Sequence, residues 1–317
     1  MSFWDKFAKF FLPPGNGVPQ AASEESLGEQ AATSVHATLV DNPSGPTAGV
    51  VELDISLQTD LGVVRTNNED RGLYKCPSDP ETAAAKGTLI IVADGMGGAS
   101  AGEVASEMAV RMIPELYYNS KKAPALAIKE ALEGTSAEIY RAAQADPALR
   151  GMGTTCVALA ILQPEVFMAY VGDSRLYLLR DGDFYQLTED HSVVFEMVRN
   201  GIITSQQARS HEDRNILSLS MGGREEITAS YWERPMVARA GDRFLACTDG
   251  LHDLVSDSEM QAIIADTAAD AAVRALIDAA KRHGGHDNIT AALVHFRTKI
   301  ELDTASKPTR ELLISSE

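Results

Sequence analysis

Cysteine is scarce, with three in 317 residues, and Cys76, Cys156 and Cys247 form no CxxC pair. An odd, scattered set argues against a disulfide framework or a cysteine-built zinc cluster and fits a reducing compartment. Basic charge is also short: 28 Lys and Arg stand against 45 Asp and Glu, a formal net charge of −17. A surface of that sign repels phosphate backbones and anionic lipid head groups, so no nucleic-acid partner is expected. No stretch reaches the ~20 consecutive apolar residues of a membrane span, and the N-terminus has no signal-peptide character. No transmembrane segment and a cytoplasmic location are the expectations.

Three regions differ in texture. Residues 1–48 begin with an aromatic stripe, Phe3, Trp4, Phe7, Phe10 and Phe11, beside Lys6 and Lys9, and continue as a Gly-, Pro-, Ala- and Ser-rich linker. The stripe is either an amphipathic segment that docks a partner or membrane surface, or a short helix that packs on its own domain. Residues 49–298 carry sustained periodicity and are expected to form one domain; residues 299–317 read as a polar tail.

Within the domain, the stretch Thr88-Leu-Ile-Ile-Val-Ala-Asp-Gly-Met-Gly-Gly98 is an unbroken apolar run that ends on an acid and then on glycines. It reads as a strand buried on both faces, with Asp94 where the strand leaves the core. A bare carboxylate there is costly unless a cation or several donors meet it, and the glycines leave room for a ligand against the backbone. Asp242 to Asp253 repeats the grammar, with an apolar run delivering Asp249-Gly250 and a further acid at Asp253. Three more acid clusters flank candidate strands: Arg65-Thr-Asn-Asn-Glu-Asp70, Gly172-Asp-Ser-Arg175 and Asp287-Asn-Ile-Thr290. A lone Asp is usually a solvated charge, and Asp181 and Asp183 are accounted for by a hairpin turn through Asp181-Gly182.

Elsewhere the pattern predicts strands over Leu53–Leu57, from near Arg71, Gly153–Leu162, Glu165–Val171, Arg175–Leu179, Phe184–Leu187, Ile227–Pro235, Asp242–Thr248 and Ile289–Phe296. Helices are expected over Ala101–Tyr118, Ala123–Ala145 and Ala268–His283, and from capping boxes at Thr204/Gln207 and Ser256/Glu259. Cys76–Lys86 reads as a polar loop, and Val193–Ser220 has little core-like periodicity. Strands in runs and helices in pairs, without βαβ alternation, define an α+β chain.

The ordered set RTNNED, VADGMGG, GMGTT, VGDSR, TDGLHD and DNIT resembles the metal-dependent PP2C (PPM) family of serine/threonine protein phosphatases, of the bacterial type, from about Ile55 to Phe296. The resemblance implies a four-layer α-β-β-α sandwich of two antiparallel sheets flanked by helix pairs, with a flap within residues 193–220 beside the active site. It implies hydrolysis of phosphoserine and phosphothreonine by direct attack of a hydroxide that bridges two tightly bound cations. Such a pair, about 4 Å apart, acidifies a shared water and clamps the phosphoryl oxygens. Oxygen ligands favour Mn2+ or Mg2+.

Carried over by residue, Asp94 would bridge the ions and the Gly95 carbonyl and Glu69 would join it on one of them. Asp249 and Asp287 would hold the other, and Asp70 would bind through water. Arg65 would fork onto the substrate phosphate, and Asp173 with Asp253 would take a weaker third ion. Met96 stands where family members with DGH carry a histidine thought to protonate the leaving group, which puts a protein general acid in doubt. His252 and His286 match no ligand position and read as neighbours of the site; His191 reads as structural. Phosphorylated proteins are the implied substrates, with a Ser/Thr kinase and its targets as candidate partners. The alternative is a non-catalytic phosphoprotein-binding member of the fold, whose mark would be lost ligand acids. An aspartate-nucleophile phosphatase would need a DxD pair, which Asp94-Gly-Met and Asp249-Gly-Leu lack.

Overall fold

A computed structural model describes residues 51–97, 101–208 and 210–298. The aromatic segment, the whole linker, the C-terminal tail and Gly98 lie outside the described residues. The elements run β1 (Val51–Asp60), β2 (Asp70–Lys75), α1 (Pro80–Lys86), β3 (Thr88–Met96), α2 (Ala101–Asn119), α3 (Pro124–Ala145), β4 (Gly153–Thr154), β5 (Cys156–Leu162), β6 (Glu165–Val171) and β7 (Arg175–Arg180). They continue with β8 (Asp183–Gln186), α4 (Val193–Arg199), α5 (Ser205–Ala208), β9 (Ser230–Tyr231), β10 (Met236–Val237), β11 (Arg243–Cys247), α6 (Asp249–His252), α7 (Asp257–Ile264), α8 (Ala269–Arg282) and β12 (Ile289–Thr298).

Two antiparallel sheets face each other. One is ordered β1-β12-β11-β7-β8 and the other β10-β6-β5-β3-β2, with β4 on β3 and β9 on β6. Side-chain alternation sorts the core into three slabs. Ile90 and Val92 of β3 meet Phe244, Ala246, Val294 and Phe296 between the sheets. Leu89, Ile91 and Ala93 turn the other way, onto Ile113, Ile128 and Leu132 of α2 and α3. Leu245 and Leu293 cover Met260, Val273 and Leu276 of α7 and α8 on the far side. The α-β-β-α order follows, and β3 is buried on both faces because it lies inside one sheet with a slab on each side.

Several elements differ from the sequence reading. The supposed loop before β3 contains α1, started by Asp79, whose carboxylate accepts from the Thr82 amide at 2.8 Å, with Pro80 in the first turn. The run from Gly153 is two strands, because Thr155 leaves the ladder to bond Asp94. The strand expected over Ile227–Pro235 shrinks to β9, followed by a separate β10, both pairing only with β6. Within 193–220 the structure adds the short helix α4, which Ser192 caps through the Phe195 amide at 3.3 Å.

The turn chemistry matches the sequence pattern. Asp181 and Gly182 both have positive φ, 54° and 85°, the two-residue hairpin geometry joining β7 to β8. Thr204 and Gln207 form a reciprocal capping box, with bonds of 2.8 and 3.2 Å. The box at Ser256 is half made: the Glu259 amide reaches Ser256 Oγ at 3.3 Å, while the Glu259 carboxylate meets His283.

Ile90 has no exposed surface and sits between the sheets. Ile90→Ala should therefore cost about 2–5 kcal/mol, seen as a lower urea midpoint with an unchanged m-value. A loss below ~1 kcal/mol would mean the slab collapses around the gap.

Candidate active site

The acids named above converge on one edge of the sandwich, at the ends of strands from both sheets. Asp94 ends the apolar part of β3 and lies directly opposite Asp70 in the β2–β3 register. Its backbone is held by the GMGTT segment: the Asp94 amide donates to Thr155 Oγ1 at 3.1 Å, and its carbonyl accepts from the Thr155 amide and from Thr154 Oγ1, both at 2.9 Å. Thr155 Oγ1 also lies 2.7 Å from Ser174 Oγ, which ties this strand end to the turn bearing Asp173. Asp70, 1% exposed, accepts from Thr248 Oγ1 at 2.9 Å, and Thr248 in turn accepts from the Thr290 amide at 3.0 Å. These contacts thus tie Asp70 of one sheet to the ends of β11 and β12 in the other.

The Glu69 loop is fixed from three sides. Asn288 accepts from the Glu69 amide at 2.8 Å and donates to the carbonyls of Leu61 and Asn67, each at 3.0 Å. Gly95 donates to the Glu69 carbonyl at 3.2 Å. A Cβ on Gly95 would collide with the carbonyls of Gly102 and Glu69, so only glycine lets α2 and this loop close on the strand end. Arg71 clamps α2 from below, pairing with Glu103 at 2.6 Å and Glu107 at 3.1 Å.

Crowding the acids raises their proton affinity. Burial pushes Asp70 up to about 7, and the charges of Asp249 and Asp287 add to it, against hydrogen bonds from Thr290 and Thr248. Asp94 is held well above the usual carboxylate range, by burial first and then by Asp249, Asp70 and Asp173. Burial and Asp249 push Asp173 up to about 7. Asp249 and Glu69 are raised mainly by burial. Asp253 goes the other way: burial acts upward, but His252, Arg175 and Arg214 pull it below the usual range.

Asp287 and Arg65 meet each other, at 2.7 Å, on the rim. Among the described residues no three His, Cys, Asp or Glu side chains are drawn into a closed metal cage. What the edge offers is a row of buried or half-buried oxygen donors, and for Asp70, Asp94 and Asp173 the heaviest charged neighbours are other acids; that donor set suits hard divalent cations.

His191 is half-buried: its ring stacks on Tyr170 at 5.0 Å, Nδ1 accepts from the Gly172 amide at 3.0 Å and Nε2 reaches Ser230 Oγ at 3.1 Å. Burial lowers it to about 4, so it is neutral at pH 7 and pins the turn before Asp173. His286 is exposed beside Asp287. Among residues without an assigned role in the sequence reading, Thr155, Ser174, Thr248, Asn288 and Thr290 position the acids. The signal for them lay within GMGTT, VGDSR, TDGLHD and DNIT, where Ser174, Thr248 and Asn288 each adjoin an acid while Thr155 and Thr290 do not.

The chain belongs to the protein phosphatase 2C family, whose profile matches residues 80–301. It is 37% identical over 247 residues to protein phosphatase PhpP of Streptococcus pneumoniae, covering 76% of this chain and 97% of that protein. Among solved structures, the Mycobacterium tuberculosis serine/threonine phosphatase PstP/Ppp superposes with a TM-score of 0.69 at 33% identity, covering 78% of this chain and 100% of that one. The PstP catalytic domain in complex with two manganese ions gives 0.67 at 32% identity, with the same coverage. The chain is a protein-serine/threonine phosphatase of the PP2C type.

The raised acids have a thermodynamic signature in protein freed of divalent cations. Asp70 binds its proton up to about pH 7 when folded, against ~3.9 when unfolded, so its charge costs stability increasingly as pH rises through that window. His191, neutral when folded, works in the opposite sense below ~6.5, so the acid is best isolated by difference. In EDTA, Asp70→Asn should melt progressively higher than wild type from pH 5 to 7.5. A gap that does not change with pH would place the Asp70 carboxyl in a milder environment.

Proposed function

We propose that the chain hydrolyses phosphoserine and phosphothreonine in proteins by direct attack of a hydroxide, without a phosphoenzyme, using two tightly held Mn2+ or Mg2+ ions. The observation that carries this is Asp94, whose heaviest electrostatic neighbours are the acids Asp249, Asp70 and Asp173. Repulsion of that kind is relieved when divalent cations enter, and the donors are oxygens throughout. In this reading Asp94 would be shared by both ions, the Gly95 carbonyl and Glu69 would complete one site, and Asp249 with Asp287 would complete the other. Asp70, one layer further in, binds through water and is itself fixed by Thr248. When bound, the pair would acidify water enough to give hydroxide near neutral pH and would neutralise charge on the phosphoryl oxygens.

The remaining work falls to side chains. Arg65, half exposed and five residues before Asp70, turns its guanidinium from Asp287 to the substrate phosphate. The flap carried by α4 and α5 covers the peptide, and β-bridges at Ser192–Leu217 and Thr154–Met221 anchor it to the site. Asp173 and Asp253 would hold a weaker third ion, which would supply acidified water for the leaving alkoxide, a role open because position 96 is Met. The substrates are phosphoproteins, those of a Ser/Thr kinase among them, and the setting is cytoplasmic. No described helix is long and apolar enough to cross a membrane. Residues 49–298 form the catalytic domain, with 1–48 and 299–317 outside it and the aromatic segment available to a partner or membrane surface.

Asp94→Asn should abolish tight Mn2+ binding by calorimetry and lower phosphopeptide turnover at least ~100-fold, about 2.7 kcal/mol in the barrier, while the melting profile in EDTA stays cooperative. Full activity in that variant would defeat the reading. Asp173→Asn should keep two tight Mn2+ ions and lose the weak third. Its turnover of a phosphothreonine peptide should fall at least ~10-fold, about 1.4 kcal/mol. Turnover of p-nitrophenyl phosphate, whose leaving group needs a proton less, should fall by a smaller factor, and equal losses would exclude the proton-delivery role.

A further inference from the structure

His252 follows Asp249 in the short helix α6, and its side chain is 2% exposed. Nε2 donates to the Asp173 backbone carbonyl at 3.1 Å. In the neutral ring that bond fixes the tautomer and leaves Nδ1 with its lone pair outward; only the protonated ring would form an ion pair with Asp253. Nδ1 lies 3.3 Å from Asp253 Oδ1, yet it makes no hydrogen bond and is one of two buried side-chain polar atoms without a partner among the described residues. A lone pair set against a carboxylate oxygen is repulsive on its own. A cation coordinated by both atoms reverses the sign.

We propose that His252 Nδ1 is a metal ligand, which together with Asp253 gives the weak third site a mixed nitrogen and oxygen donor set for a divalent transition ion. The inference rests on the phosphatase reading above, in which that site is occupied by a third ion. The geometry agrees: two ligands on adjacent corners of an octahedron with bonds of ~2.2 Å lie about 3.1 Å apart, close to the 3.3 Å between Nδ1 and Oδ1. Metal-bound histidines characteristically give their other ring N–H to a backbone carbonyl or carboxylate, which orients the ring and raises its basicity. Nε2 does this here, and its acceptor belongs to Asp173, the other acid of the same site. Because His252, Asp253 and Asp173 are not drawn into a closed cage among the described residues, water and phosphoryl oxygen would share the site with them, and binding stays weak. The chemical consequence is selectivity. Imidazole adds affinity for zinc, manganese and their neighbours and little for Mg2+, so this site discriminates where an all-oxygen site would not.

The test uses the full chain with ring-15N histidine, saturated with Mg2+ and titrated with Zn2+ while long-range 1H–15N spectra are recorded. The resonance missing in His252→Gln identifies His252; this variant retains a donor for the Asp173 carbonyl but has no ring nitrogen. Nδ1 of His252 should move to a metal-bound shift as Zn2+ is added while Nε2 keeps its proton. By calorimetry on the Mg2+-loaded chain, His252→Gln should weaken the low-affinity Zn2+ and Mn2+ events at least tenfold and leave the tight pair unchanged. A His252 Nδ1 that stays unshifted at Zn2+ saturation, with a low-affinity event present, overturns the assignment alone. Absence of any low-affinity event in wild type overturns both the assignment and the third-ion reading, and should the His252→Gln variant fail to fold, the wild-type titration still decides.

Discussion

Everything at the active edge answers to one constraint: carboxylates from two sheets are packed close enough to repel. Asp70 and Asp94 are register partners in adjacent strands, so neither can withdraw without breaking the ladder. The strands themselves cannot shift, since β3 is buried against helices on one side and the second sheet on the other. Close-packed interiors resist the small displacements that would relieve such strain. Burial first, and the neighbouring acids after it, therefore raise proton affinity at Asp70, Asp94, Asp173 and Asp249. A rigid frame that holds like charges together is pre-organised for a counter-charge, because the cost of gathering them is met during folding.

Hydroxyl groups make that frame specific. Thr248 reaches from the end of β11 to Asp70 and is itself fixed by the Thr290 amide of β12. Thr155 leaves its strand to take the Asp94 amide and touches Ser174, which precedes Arg175, itself paired with Asp190 at 2.6 Å. Each contact crosses between segments distant in sequence, so movement of one acid is resisted by the elements carrying the others. Buried networks of this kind favour one arrangement when every member is satisfied. The near-absence of orphaned polar atoms among the described residues of the core makes the unpartnered Nδ1 of His252 informative.

The strand ends were legible because two signals coincide there. An apolar run such as Leu89–Val92 announces a strand covered on both faces, and the acid and glycine that terminate it mark where the chain re-enters water. The hairpin at Asp181-Gly182 was legible for a related reason: both residues accept positive φ. Local composition was silent where tertiary contacts decide. Thr155 is β-branched and reads as part of a strand, but its hydroxyl, not its carbonyl, takes the Asp94 amide, while its own amide still donates to the Asp94 carbonyl. The segment 227–235 has strand-forming residues but only β6 to pair with, so β9 is two residues long. Helix α6 is too short for periodicity to reveal, although it turns His252 back toward Asp173.

Arg65 and Asp287 illustrate how the rim can differ from the floor without contradicting it. The sequence resemblance assigns one to substrate phosphate and the other to a metal ion, whereas the structure joins them at 2.7 Å. The pair is solvent-accessible, with side chains 50% and 28% exposed, and such contacts contribute only about 0–1 kcal/mol. Deeper acids could not exchange partners so cheaply, because burial makes an unpaired charge there far more costly. In the proposed reaction Arg65 holds Asp287 in place until a cation takes the carboxylate, and the freed guanidinium then faces the position where phosphate arrives. Its neighbours support that exchange: Gly62 lies against the carbonyls of Asp287 and Gly285, and the Val63 amide donates to Gly285 at 2.7 Å. The backbone before Arg65 is thus fixed to the Asp287 loop, leaving the side chain as the part free to move.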